Sequence, residues 1–134
     1  MSFNCRGFTR AHKKYSLKRV VSIEHPDFLL LQETLGTREE VKARMENLLP
    51  RWSFTTVDAL GRSGGLAIGW NSQKIQVLNT WGLDSSIGIT FLLPTLKETV
   101  HLLNIYGPYM NRKPLSNTLL NKSFFKDLLI LGGI

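Results

Sequence analysis

Two short segments near the amino terminus decide the fold prediction: SFNCRG at residues 2–7 and DFLLLQET at residues 27–34. Each is a short apolar run that ends in polar side chains, as expected for a buried strand that reaches the edge of its sheet. The stretch between them has helical character, and α/β proteins bring such strand ends together at one sheet edge. Asn4 and Glu33 are therefore predicted to contribute to one site.

The rest of the chain continues this alternation. An amphipathic helix is predicted from Ser16, because residues 17, 20 and 21 are apolar, and a second from Thr37, whose hydroxyl can cap it, to Pro50. Further strands are predicted at residues 53–60, 66–70, 75–79, 87–93, 100–106 and 128–131, with a helix at 114–125. The order β-α-β-α-β-β-β-β-β-α-β predicts an α/β chain with one mixed sheet covered by helices on one face. No domain boundary is predicted within residues 1–134.

Composition narrows the class of protein. With 134 residues, 43% hydrophobic and 20% charged, the chain suits one globular domain. The single Cys5 excludes an intramolecular disulfide framework and a cysteine zinc cluster, which favours a reducing, intracellular compartment. No apolar run reaches the roughly 20 residues that cross a bilayer. The first 20 residues hold six basic side chains and no acid, so a mitochondrial transit segment is the alternative for targeting.

Positive charge is concentrated at the amino terminus. Six basic residues carry +6 of the net +7: Arg6, Arg10, Lys13, Lys14, Lys18 and Arg19. Such a cluster beside a polar strand end would attract a polyanion such as DNA, because phosphate contacts release counterions. The alternative is a solvated loop and helix face.

Three side chains are candidates for chemistry. Glu33 follows a buried strand and could bind Mg²⁺, which prefers one or two carboxylates with water and phosphate oxygens; the alternative is a solvated or helix-capping acid. Asn4 could hydrogen-bond to that carboxylate or to a phosphate, or simply form a turn. Tyr106 could place its hydroxyl on a phosphate, or pack in the core.

Five motifs in order carry a family resemblance: NCRG at 4–7, QET at 32–34, GRSGGLAIGW at 61–70, IYGP at 105–108 and LILGG at 129–133. The series resembles the endonuclease/exonuclease/phosphatase family, whose fold is that of DNase I. Within the family, NCRG and GRSGGLA look most like the endonuclease domains of plant non-LTR retrotransposons. The resemblance implies a Mg²⁺-dependent phosphodiesterase with a four-layer α/β sandwich. It also implies that Glu33 ligates the metal, Asn4 orients the site and Tyr106 contacts the scissile phosphate.

The chain departs from the family pattern after Leu131. Where the family has Gly-Asp-x-Asn, this sequence has Gly132, Gly133 and Ile134, and we expect it to lack the family's carboxyl-terminal Asp-His pair and second sheet. The sequence is therefore expected to be the amino-terminal half of the sandwich and inactive by itself, because a general base alone is worth roughly 10²–10⁴ in rate. A missing second sheet would expose an apolar face and favour self-association. Arg6 is a smaller departure, since many apurinic-type members are acidic there.

Two other functions remain open at this level. The chain could be a nucleic-acid-binding or interaction module that uses its basic segment, or a phosphatase of the same fold acting on phosphorylated lipids or inositols. The retrotransposon-like NCRG motif favours the nuclease. A nuclear location is compatible with the sequence but is not indicated by it.

Overall fold

A computed structural model describes residues 1–5, 11–58, 64–83, 86–93, 95, 97–105 and 128–132. These residues form two helices and eight strands in the predicted order. The elements are β1 (Ser2–Asn4), α1 (Ala11–Glu24), β2 (Phe28–Gln32), α2 (Arg38–Leu48), β3 (Trp52–Val57), β4 (Leu66–Asn71), β5 (Gln76–Leu83), β6 (Ser86–Leu93), β7 (Glu98–Ile105) and β8 (Leu128–Gly132). The predicted helix at 114–125 and Tyr106 lie outside the described residues.

The strands form two mixed sheets. The first has the order β1-β2-β4-β3 and the second the order β5-β6-β7-β8. The α/β class is confirmed, and so is the β3–β4 hairpin, whose strands are antiparallel. The prediction of one sheet is wrong, because β5 does not pair with β4 after the turn at residues 72–75 but begins a second sheet with β6.

The two sheets pack face to face. Their shared core contains residues of β2 and β4 on one side and of β6 and β7 on the other: Leu30, Leu66, Ile68, Ile87, Ile89, Phe91, Val100 and Leu102. Alternation along β6 sends Ile87, Ile89 and Phe91 to this inner face. The second sheet therefore covers the inner apolar face of the first. The expectation that this face is uncovered is wrong. That face is not a surface for self-association.

The outer face of the first sheet is covered by both helices. Leu17 and Val21 of α1 and Val41 and Met45 of α2 pack against it. Four of the five residues of β2 are buried, because Leu29 and Leu31 meet the helices while Leu30 meets the second sheet. This two-sided burial explains the continuous apolar run of β2.

The helix boundaries follow from local chemistry. Thr37 caps α2 as predicted, its side chain accepting a hydrogen bond from the Glu40 amide at 3.2 Å. Helix α1 begins at Ala11, five residues before the predicted Ser16, because its first turns are polar and carry no apolar period. None of the described helices combines the length and apolarity that crossing a bilayer requires.

Close packing of β3 on β4 generates a stability prediction. A Cβ at Gly69 would overlap the Phe54 ring, whereas one at Gly82 would lie 3.5 Å from the nearest side-chain atom of Val57. We expect Gly69→Ala to lower the free energy of unfolding by about 1–3 kcal/mol through overpacking, measured by urea denaturation. The matched change Gly82→Ala should cost less than about 1 kcal/mol. Equal losses in the two variants would contradict the packing described here.

Candidate functional site

The carboxyl ends of β1 and β2 lie side by side at one edge of the first sheet. The two strands are parallel, and Asn4 is the register partner of Gln32. Glu33 is the next residue along the chain, so Asn4 and Glu33 lie at the same edge. Asn4 is exposed and Glu33 is half-buried. The structure thus places the two predicted residues near each other, with solvent access to both.

A turn of the backbone holds Glu33 in an uncommon conformation. Glu33 has φ 54° and Leu35 has φ 50°, the left-handed region that non-glycine residues seldom occupy. The Leu35 amide donates to the Gly64 carbonyl at 2.6 Å, and the Thr34 amide donates to the Gly65 carbonyl at 3.4 Å. These bonds fix the segment that follows β2 against the start of β4.

Gly64 is required for this contact. A Cβ at residue 64 would lie 2.9 Å from the Glu33 Cα and 2.7 Å from a Leu35 methyl. Such distances are not tolerated without displacement of the neighbouring backbone. The glycine pair at 64–65 therefore allows β4 to approach the backbone of Glu33, and it shapes the predicted site. Backbone strain of this kind is concentrated at functional sites in proteins.

A buried amide network lies directly behind Glu33. The Asn104 side-chain nitrogen on β7 donates to the Leu31 carbonyl at 3.0 Å and to the Ala67 carbonyl at 2.9 Å. Its oxygen accepts a 2.7 Å hydrogen bond from the Gln32 side chain, which also donates to the Ser2 hydroxyl at 3.2 Å. Asn104 thereby joins the second sheet to β2 and β4 of the first.

Lys13 and Cys5 extend the site along β1. The Cys5 amide donates to the Gln32 carbonyl at 2.9 Å, and the Lys13 ammonium donates to the Cys5 carbonyl at 3.0 Å. Burial raises the pKa of the Cys5 thiol above its ordinary value of 9.0; nearby Lys13 partly opposes that rise in pKa, and the Glu33 carboxylate adds to it. Cys5 is therefore a neutral core residue at neutral pH.

The other predicted residues occupy different surroundings. Lys18 and Arg19 are exposed on α1, and Lys14 is half-buried there. Arg6, Arg10 and Tyr106 lie outside the described residues. Within the part of the chain that the structure describes, no three His, Cys, Asp or Glu side chains cluster as a metal site. That Glu33 ligates a metal stays a prediction.

Sequence reasoning missed the structural roles of Gln32 and Asn104. A signal for Asn104 was present, because it continues the inward alternation of Val100 and Leu102 along a strand of buried residues. A polar residue at such a position needs buried partners. Which partners it has depends on the packing of the two sheets, and that was not predicted.

Comparisons with known proteins support the fold. No family model and no curated protein matches the sequence. Among solved structures, the chain is similar to a humanized D. rerio TDP2, with a TM-score of 0.74 and 13% identity over 98% of this chain and 63% of that one. It is similar to the mannosyl-6-phosphatase Bt3783 of Bacteroides thetaiotaomicron, with a TM-score of 0.71 and 16% identity over 98% of this chain and 62% of that one.

A third similar structure is the AP endonuclease LMAP of Leishmania major, with a TM-score of 0.67 and 16% identity over 98% of this chain and 53% of that one. The fold is thus the DNase I-like fold of endonuclease/exonuclease/phosphatase proteins, one of which also matches under that family name. The chain spans roughly 53–63% of the length of these three structures.

The buried network predicts a large effect of removing Asn104. Asn104→Leu would leave Gln32 and two strand carbonyls without this partner, so we expect the free energy of unfolding to fall by about 2–4 kcal/mol. Urea denaturation followed by tryptophan fluorescence measures the loss. The exposed Asn79 on β5 is the matched control, and Asn79→Leu should change the free energy by less than about 0.5 kcal/mol. A loss at residue 104 no larger than the control's would show that the bridge is dispensable.

The raised pKa of Cys5 predicts how stability depends on pH. The thiol stays neutral in the folded chain and ionises in the unfolded chain above pH 9. The contribution of the buried neutral thiol to the free energy of unfolding is therefore complete below that pH and is lost as the pH rises further. Relative to Cys5→Ala, the wild-type free energy of unfolding should fall by up to about 1.4 kcal/mol per pH unit above pH 9. Urea denaturation between about pH 7 and 10.5 measures this difference in slope. Parallel pH profiles of the two proteins would contradict it.

Proposed function

We propose that this chain supplies one part of the active site of a Mg²⁺-dependent endonuclease of the retrotransposon type, and that it is the amino-terminal part of such a domain. The observation that carries the proposal is the position of Glu33, held by Gly64 and Gly65 at the carboxyl end of β2 beside Asn4. The DNase I-like fold supports it. One structural neighbour is an AP endonuclease, and D. rerio TDP2 was solved with a single-stranded DNA product.

The residues at this edge suit a magnesium ion. Glu33 is half-buried, so its carboxylate can ligate a cation while water and phosphate oxygens supply the other ligands. A bound Mg²⁺ would stabilise negative charge on a phosphodiester. In this proposal Glu33 ligates the metal, Asn4 hydrogen-bonds to the phosphate or to that carboxylate, and Tyr106 contacts the scissile phosphate.

The Gln32–Asn104 network keeps this edge rigid. Gln32 is 2% exposed and Asn104 is 0% exposed, so neither touches solvent or substrate. Their hydrogen bonds fix the residue that precedes Glu33, and a ligand whose backbone is fixed loses less entropy when it binds a metal. Gln32 and Asn104 are thus positioning residues for the proposed ligand.

We further propose that the 134-residue polypeptide does not turn over substrate by itself. Asn4 and Glu33 supply one amide and one carboxylate. Activation of the attacking water and electrostatic stabilisation of the transition state each contribute factors of roughly 10²–10⁴. Metal recruitment by Glu33 should therefore be measurable in the absence of catalysis.

A second function, nucleic-acid binding through α1, is favoured by the exposed face of that helix. Lys18 and Arg19 are exposed, and Tyr15, with 73% of its surface exposed, offers a ring for stacking beside them. Binding of this kind should weaken strongly between about 50 and 200 mM salt. The phosphatase alternative has one observation in its favour, the similarity to the mannosyl-6-phosphatase.

The metal proposal predicts a specific effect of one substitution. The purified chain should bind Mn²⁺, a spectroscopic substitute for Mg²⁺, and Glu33→Gln should weaken that binding at least about tenfold, because a carboxylate ligand is lost. Electron paramagnetic resonance of free Mn²⁺ measures the affinity. Glu24→Gln at the exposed end of α1 is the control and should bind as the wild type does.

The same proteins test the proposed inactivity. With Mg²⁺ and supercoiled plasmid, we expect no nicking above background. Nicking by the wild type that disappears in Glu33→Gln would overturn the claim of inactivity and leave the nuclease assignment standing. Mn²⁺ binding that is unchanged in Glu33→Gln would remove Glu33 from the metal site.

A further inference from the structure

A groove lies at the end of the first sheet opposite to Glu33, measured along the strands. It runs between α1 and the segment that joins α2 to β3, and it has a volume of about 240 Å³. Trp52, which lines it, is paired with Asn71 at the far end of the β3–β4 ladder, whereas the start of β4 at Leu66 pairs with Gln32. This groove is therefore separate from the candidate metal site.

The floor of the groove is apolar. Val21, Leu48, Leu49 and Trp52 line it, and all four belong to or pack against the core between the helices and the first sheet. Because Trp52 is only 8% exposed, it presents no open ring face. The groove is smaller than pockets for drug-sized ligands, and its size suits one or two apolar side chains that act as anchors.

The rim of the groove is positively charged. Lys18 of α1 and Arg51 of the turn before β3 line it, both exposed. Among the described residues that line the groove, none is acidic. Lys14 lies one helical turn from Lys18 and adds to the same positive field. Both the apolar floor and the basic rim must be matched by an occupant.

We propose that this groove binds an acidic protein segment whose apolar side chains enter between Lys18 and Arg51. Carboxylates on both sides of an apolar anchor would meet the two cations, and the anchor would cover Leu48 and Trp52. A nucleic-acid strand matches the surface less well. Its phosphates could reach the cations, but single-stranded nucleic acid relies on exposed aromatic rings for stacking. Trp52 is buried, and the exposed Tyr15 of α1 does not line the groove, so the groove itself offers no ring face to a base.

The test uses the full chain and labelled peptides. The probe is a fluorescein-labelled peptide in which two leucines are flanked on each side by two glutamates, and binding is measured by fluorescence anisotropy. Lys18→Glu and Arg51→Glu should each weaken binding about tenfold, since each replaces attraction by repulsion. Replacing the peptide's leucines by alanines should weaken it by a similar factor. The control Lys97→Glu, in the turn between β6 and β7, makes the same charge change elsewhere and should leave the affinity unchanged.

The outcomes separate the occupants. Equal binding of the leucine and alanine peptides would overturn the proposal, because the apolar floor would then be unused. Loss of affinity in Lys97→Glu equal to that in Arg51→Glu would overturn it as well, since the effect would be one of net charge. Tight binding of a short oligothymidylate that displaces the peptide and depends on Arg51 would assign the groove to nucleic acid instead. Unchanged far-ultraviolet circular dichroism of each variant confirms that the fold is retained.

Discussion

The contact on which the two-sheet arrangement depends is the insertion of the Asn104 amide into the first sheet. Apolar side chains such as Ile68 and Ile89 hold the sheets together, but apolar contacts have little directional preference. The bonds of Asn104 to the carbonyls of Leu31 and Ala67 are directional and buried, so any shift of one sheet over the other would leave polar groups unpaired. Hydrophobic burial thus drives the packing, and one amide selects its register.

The packing of the two sheets is linked to the candidate site by a single residue, Gln32. Gln32 bonds to Asn104, and the next residue is Glu33, whose conformation is completed by Gly64 on the other side. The ligand position at the sheet edge is therefore determined by the layer between the sheets. Asn4 is positioned differently, by the parallel ladder of β1 and β2, which explains why it can be exposed and still be well placed.

Features encoded locally were predictable from the sequence, and features that depend on packing were not. The β2 strand, the Thr37 cap and the β3–β4 hairpin follow from apolar runs, a hydroxyl and a glycine turn within a few residues. The division into two sheets does not, because alternation shows which side chains share a face but not which strand lies beside another. The partners of Asn104 are distant in sequence for the same reason. Glu33 could be proposed from its strand end, but its left-handed backbone depends on Gly64, thirty-one residues later.

Two described members of the basic cluster near the amino terminus, Lys13 and Lys18, lie in different surroundings. Lys13 and Lys18 are five residues apart on α1, which places them about 140° apart around the helix axis. Accordingly, Lys13 bonds to the Cys5 carbonyl beside the candidate metal site, while Lys18 borders the groove at the other end of the sheet. Neutralising Lys13 would alter the end of β1 near Glu33 as well as the net charge, so a loss of DNA binding in that variant would have two explanations. Substitutions of Lys18 and Arg19 leave the end of β1 intact. They can therefore distinguish nucleic-acid binding by α1 from an effect on the metal site.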